Sequence, residues 1–429
     1  MDAAALALVA LVVFGWGLFS VRLGRADLSA PIVFVTVGLL FAEALHVLEL
    51  TPSQEAVRVL AELTLVWVLF ADASRVGVRE FRADLGLYTR LLAVGLPLTI
   101  AAGALLASWL FDGLGVWLVL LIGAALAPTD AALGAAVMSD PKVPERVRRV
   151  LNVESGLNDG IATPVVTVAI AGAAAAESSH SGVGPGAALL DLAIGAAAGM
   201  VIGLAGGVAM RQARRRGWMS EDFAGPGVLA LAVLAYTATL WLDGNGFVAA
   251  FVAGLAFGNT AGRGGAREVF YVEQTAGLVS LLTWLLFGAV AVPVVLAHAD
   301  WQVVVYAVLS LTVVRMVPVA LVLIGTGLPA RTVAFIGWFG PRGLASIIFA
   351  LIALEDLHAG AERAVAVIGM TVLLSVFGHG LSAKPLANRY ADPLVPAPGS
   401  GPETELPVRG LLHRHPGAGT RPPGPEPGR

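Results

Sequence analysis

Glu154-Ser155-Gly156-Leu157-Asn158-Asp159-Gly160 opens an apolar segment, 150 to about 172, that is long enough to cross a bilayer. Carboxylates inside a membrane cost several kcal/mol unless they are paired, so they mark an ion or proton pathway by default. At about 100° per residue, a helix divides the four polar side chains between two faces. Ser155 and Asp159 are four residues apart and share one face, while Glu154 and Asn158 share another. The first face is read as an ion site and the second as its support. The alternative is a polar helix end resting among lipid headgroups.

Composition places this segment in context. The chain has 429 residues, 57% hydrophobic and only 13% charged, with a mean hydropathy of +0.82. Soluble domains carry about a quarter charged residues, so the chain reads as an integral membrane protein. With no cysteine, disulfides, thiolate metal sites and cysteine nucleophiles are excluded. Met1-Asp2-Ala3-Ala4-Ala5 lacks the basic start of a signal peptide, and the first apolar run is expected to be retained.

Apolar runs near spanning length fall at about 3–20, 29–46, 56–73, 87–110, 114–138, 149–173, 187–210, 225–242, 245–259, 270–296, 301–325, 332–354 and 362–387. That is about thirteen transmembrane helices. With the N-terminus outside, the alternate inner connections hold 18 basic residues, among them Arg75, Arg148 and Arg214 to Arg216. The outer connections hold only Arg58 and Arg363. This asymmetry is the positive-inside pattern, and it places the C-terminus in the cytoplasm. Residues 391–429, rich in Pro and Gly, are expected to form a disordered cytoplasmic tail after a transmembrane domain of 1–390.

Two runs are interrupted. The fifth contains Ala127-Pro128-Thr129-Asp130, and the twelfth contains Gly340-Pro341-Arg342-Gly343-Leu344. Proline removes a donor and frees a carbonyl. Non-helical backbone at this depth survives only where protein or a polar cavity satisfies it. Counted as six helices, a linker and six helices, the two breaks are each fifth in their half. An odd linker turns the second half over, which predicts inverted repeats whose broken helices, 5 and 12, cross at a transport site.

Taken together, these three motifs resemble the sodium/proton antiporters of the cation–proton antiporter-1 family, the NhaP-like branch, over about residues 1–390. The resemblance implies that Asp159 binds either a cation or a proton. It implies that Ser155 and Asp130 lie at the same site and that Thr129 offers a backbone carbonyl to Na⁺. Asn158 stands where electrogenic relatives carry a second Asp, which implies electroneutral exchange. Glu154 and Arg342 match a buried ion pair holding helix 6 to helix 12. Asp72, in Leu69-Phe70-Ala71-Asp72-Ala73-Ser74-Arg75, lies where many relatives place a Glu near the ion. Pairing with Arg75 is an equal reading for it. A homodimer through the outer helices is also implied.

Other polar groups receive plainer readings. Glu62, Arg90, Glu273 and Arg315 are read as helix-end residues that snorkel, and His379 as a packed side chain. The expected mechanism is competition: a proton or a monovalent cation neutralises Asp159, never both, so that exchange is obligatory. The bundle of helices 5, 6, 12 and 13 would rock against the rest. Expected partners are monovalent cations, protons and the lipid bilayer of the cell membrane. No cofactor, no nucleic acid and no enzymatic activity are expected. Rival readings are a K⁺/H⁺ antiporter of the same fold, an organic-anion symporter of related architecture, a cation channel and an intramembrane aspartyl protease. The channel lacks a carbonyl-rich filter repeat. The protease leaves Arg342 unexplained.

Overall fold

Helices begin and end in this chain where caps, glycines and prolines place them. A computed structural model describes residues 3–44, 54–77, 84–177, 185–262, 265–357 and 361–390. Every regular element among them is helical. The expected disordered tail, 391–429, and the basic residues Arg79, Arg82 and Arg263 lie outside the described residues.

In chain order the helices are α1 (Ala3–Arg25), α2 (Ala30–Leu39), α3 (Gln54–Ser74), α4 (Leu85–Leu110), α5 (Val116–Ala125), α6 (Ala131–Met138), α7 (Glu145–Glu177) and α8 (Pro185–Arg215). Then come α9 (Glu221–Leu240), α10 (Gly246–Thr260), α11 (Gly265–Leu286), α12 (Trp301–Leu311), α13 (Val313–Val322), α14 (Ala330–Trp338), α15 (Leu344–Leu357) and α16 (Glu362–Tyr390). Short π-helical turns extend α2 to Ala44 and carry α11 on toward Ala297. The narrow gap between α9 and α10 is a true boundary. Asp243 takes a positive φ of 55°, and the Asn245 side chain caps α10 by accepting from the Val248 amide.

All thirteen apolar runs contain helix. Among the described residues, however, eight helical segments have both the length and the apolarity of a span, so length alone does not establish thirteen. α3 is long enough but carries Arg58, Glu62 and Asp72. The fifth and twelfth runs divide as the prolines dictate, into α5 and α6 around residues 126–130 and into α14 and α15 around 339–343.

Small residues draw the outer helices together. Gly195, Gly199, Gly203 and Gly207 repeat every fourth position on α8, so they form one stripe. A Cβ on Gly195, Gly199 or Gly203 would collide with backbone of Asn245, Ala249 or Ala253 on or beside α10. On its other side α10 presents Gly254 and Gly258 to the backbone of Phe70 and Ser74 in α3. With lipid outside, such close contact replaces hydrophobic burial as the force between helices. Gly38 and Gly288 make the same reciprocal contact between α2 and the extension of α11.

Candidate functional site

Where the α5–α6 and α14–α15 breaks cross, backbone groups freed by Pro128 and Pro341 find partners in each other. The Asp130 amide donates to the Pro341 carbonyl at 2.8 Å. The Asp130 carboxylate accepts from the amides of Ala132 (2.6 Å) and Leu133 (3.2 Å) on one oxygen and from Leu344 (2.9 Å) on the other. It therefore caps the N-termini of α6 and α15 together, where the helix dipoles favour a negative charge. Gly343 has to lack a side chain, because a Cβ there would run into that carboxylate. The family resemblance implied that Asp130 lies at the ion. The structure gives both of its oxygens backbone partners, while its charge still acts on Asp72 and Asp159.

Arg342 and Glu154 require a correction. The expected pair between them is absent: Glu154 Oε1 pairs with Arg315 Nη1 of α13 at 2.6 Å. Glu154 and Arg315 are each only 3% exposed, so Arg315 is a core residue and not a snorkelling one. Arg342 Nη1 instead donates to the carbonyls of Ala127 (2.6 Å) and Pro128 (3.0 Å), the groups left over where α5 stops. Guanidinium at a helix C-terminus meets both the orphan carbonyls and the negative end of the dipole. The physical reason for the exchange of partners is geometric. The carbonyls of the break hold Arg342, and Arg315, one helix away, reaches Glu154.

From α16 a second brace reaches the same break. The Arg342 amide donates to Ser375 Oγ at 2.7 Å, and Ser375 Oγ lies 3.1 Å from His379 Nδ1. His379 Nε2 is 3.0 Å from the Trp338 carbonyl. Nδ1 also lies 3.2 Å from the Ser375 carbonyl, so each ring nitrogen faces a carbonyl oxygen that can only accept. His379 is packed, as expected, and it ties the end of α14 to the start of the break. Ser346 Oγ donates to the Ala125 carbonyl at 2.6 Å and closes the other side.

Asp159 lies on α7 beside this crossing. Among the described residues, its carboxylate accepts no hydrogen bond and joins no ion pair; Thr163 Oγ1 bonds only its backbone carbonyl. Ser155, one turn earlier, meets Thr129 hydroxyl to hydroxyl at 2.9 Å. Asn158 Nδ2 donates to Thr129 Oγ1 at 2.6 Å. Asn158 was assigned to the supporting face, and the structure joins the two faces through this one threonine. The Thr129 carbonyl accepts no hydrogen bond among the described residues.

Asp72 makes the Arg75 contact of one reading and lies beside α7, the helix that carries Asp159. It packs against Gly156 of α7, near enough to Asp159 to act on it electrostatically. Its Oδ1 also lies 3.6 Å from Arg75 Nη1. The helix-end residues are bonded rather than free. Arg58 pairs with Glu62 at 2.7 Å, Arg75 pairs with Glu273, and Arg90 caps the carbonyls of Val322 and Ile324 at the end of α13.

Sequence reasoning missed Arg315, Ser346 and Ser375. Arg315 did carry a signal, since it stands mid-run in 301–325, at a depth where an unpaired cation is costly. The two serines carried none. Chemically, the site combines a carboxylate with hydroxyl, amide and carbonyl oxygens, a donor set suited to a hard cation. Among the described residues, no three acidic or imidazole groups gather closely enough to form a metal cluster.

A family model described as "Sodium/hydrogen exchanger, transmembrane" matches residues 7–389. The chain is 28% identical over 396 residues to the K(+)/H(+) antiporter NhaP of Alkalimonas amylolytica, covering 89% of this chain and 66% of that protein. It is 28% identical over 282 residues to the Na(+)/H(+) antiporter NhaH of Halobacillus dabanensis, covering 62% and 67%. The chain thus spans about two thirds of the length of these relatives. The solved sodium proton antiporter MjNhaP1 of Methanocaldococcus jannaschii superposes with a TM-score of 0.71 at 19% identity, over 90% of this chain and 98% of that one. The fold is shared.

Proposed function

We infer the function from one premise: this chain belongs to the sodium/hydrogen exchanger family. It is a multi-pass membrane protein of a transporter family, and our reading is that it exchanges a monovalent cation for a proton at Asp159. One observation carries that reading. Among the described residues, Asp159 is a buried carboxylate without a protein partner, beside Ser155, Thr129 and the crossed helix breaks. Such a group is neutralised by a proton or by a cation, and the two exclude each other. Asp159, Ser155 and the Thr129 carbonyl would hold the cation, with Asp72 facing them and Asp130 adding fixed charge.

Sodium and potassium are both candidate cargoes, since the similar proteins named above include exchangers of each. The proposal places the protein in the cell membrane with its N-terminus outside and its C-terminus inside. A homodimer belongs to it too, with the apolar outer faces of α1 and α8 available. A monomeric mass in lipid nanodiscs would remove the dimer.

The test is exchange in proteoliposomes. A sodium or potassium gradient should drive an opposite pH change across the membrane. Asn158 adds no second titrating carboxylate, so the expected rate does not respond to an imposed potential. Each net charge moved would couple about 2.3 kcal/mol per 100 mV. A steep voltage dependence would therefore disprove electroneutrality, and the absence of any cation-driven pH change would disprove antiport.

A further inference from the structure

Arg75 ends α3 one turn beyond Asp72, and its guanidinium stands between two carboxylates. Nη2 makes a close ion pair with Glu273 of α11, while Nη1 remains 3.6 Å from Asp72 Oδ1. The side chains of Asp72, Arg75 and Glu273 keep 21%, 23% and 26% of their surface. All three are thus reachable from outside the packed core. Among the described residues, Asp72 and Glu273 have no other ionic partner. Among the described residues, Arg75 is the one cation that acts on Asp72, against the like charges of Glu273 and Asp130.

A guanidinium and a metal cation compete for the same carboxylate. Arg75 is tethered a turn away, so its effective concentration at Asp72 is high whatever the free cation concentration. Only its tighter contact with Glu273 draws it aside. We propose that Glu273 sets the cation affinity of the Asp159 site by holding Arg75 off Asp72. Arg75 is then a built-in competitor, and α11 carries the group that restrains it. This deepens the antiport reading and rests on it. Glu273 touches no transported ion and is a positioning residue. Without it, the Arg75 charge has Asp72 as its sole ionic partner among the described residues and closes on it. Without Arg75, Asp72 is left wholly to the cation.

The experiment uses the full chain and two readouts. Sodium affinity is taken from the sodium-dependent rise in melting temperature in detergent, and the KM and maximal rate of exchange from proteoliposomes. Potassium is titrated in parallel. Glu273→Gln is expected to weaken cation binding about fivefold, the scale of a partly exposed ion pair, and to raise KM at an unchanged maximal rate. Arg75→Gln should tighten binding, and the double variant should bind at least as well as the unaltered protein. Unaltered affinity in Glu273→Gln overturns the proposal, and so does a double variant as weak as Glu273→Gln alone. A purely structural loss would lower the cation-free melting temperature and would not be rescued by Arg75→Gln. If the unaltered protein binds sodium but moves no protons, the antiport reading fails while the order of affinities still decides this one. A protein that binds neither cation overturns both.

Discussion

Asp159→Asn is expected to reduce cation-driven proton movement to the level of empty liposomes while leaving the protein folded. The substitution keeps the shape of the side chain and removes both its charge and its proton. Folding loses little, because no described residue hydrogen-bonds or ion-pairs with the Asp159 carboxylate in the native structure. A buried charge without a protein partner is a cost to stability, so the melting temperature should hold or rise. Function loses everything, because neither cargo is then neutralised. Ser155→Ala is the graded control: it removes one oxygen ligand and should weaken cation affinity without abolishing exchange. Unaltered exchange rates from Asp159→Asn would remove this residue from the centre of the mechanism.

The second large effect belongs to Glu154 and Arg315, which pair at 2.6 Å in the core. Removing one member strands the other's charge in a low dielectric, at a cost of about 3–5 kcal/mol. Glu154→Gln and Arg315→Gln should therefore each lower expression and melting temperature sharply. Replacing both with uncharged residues should recover much of the loss, since a buried ion pair is itself desolvated at a cost. A double-mutant cycle of Glu154 with Arg342 should show much weaker coupling, because Arg342 bonds the Ala127 and Pro128 carbonyls instead. Exchange by the Glu154–Arg315 double variant should persist at a reduced rate. Stronger coupling of Glu154 to Arg342 than to Arg315 would reverse the assignment.

How much of this was legible in the sequence depends on the kind of residue. Pro128 and Pro341 act on their own backbone, so the two breaks could be placed to within a few residues. Asp159 and Ser155 share a helix face by arithmetic alone. Asp130 was partly readable, since an Asp before an apolar helix is an N-cap by type. That its second oxygen would cap α15 depends on how two breaks cross, which no local pattern encodes. The partner of Glu154 was undecidable for the same reason. Arg315 and Arg342 are both deep in apolar runs, and depth along a helix says nothing of which way the side chain turns around it. The hydroxyls of Ser346 and Ser375 looked like any others in a membrane helix. Their meaning comes from carbonyls and amides that a distant proline had set free.

The glycine contacts of α10 bear on how the molecule carries its cargo. α8, α10 and α3 touch backbone to backbone, so they form a single stiff plate, and Asp72 is riveted to it. Asp159, Ser155 and Thr129 belong to the other piece, made of α7 and the crossed breaks, which the Asp130 and Arg342 bonds fasten internally. In the proposed exchange, ligands from both pieces face one another across the joint. A cation held there spans the two, and any sliding of one against the other changes the distance between Asp72 and Asp159. Loading and posture are then one variable. The passenger is the pin of the hinge.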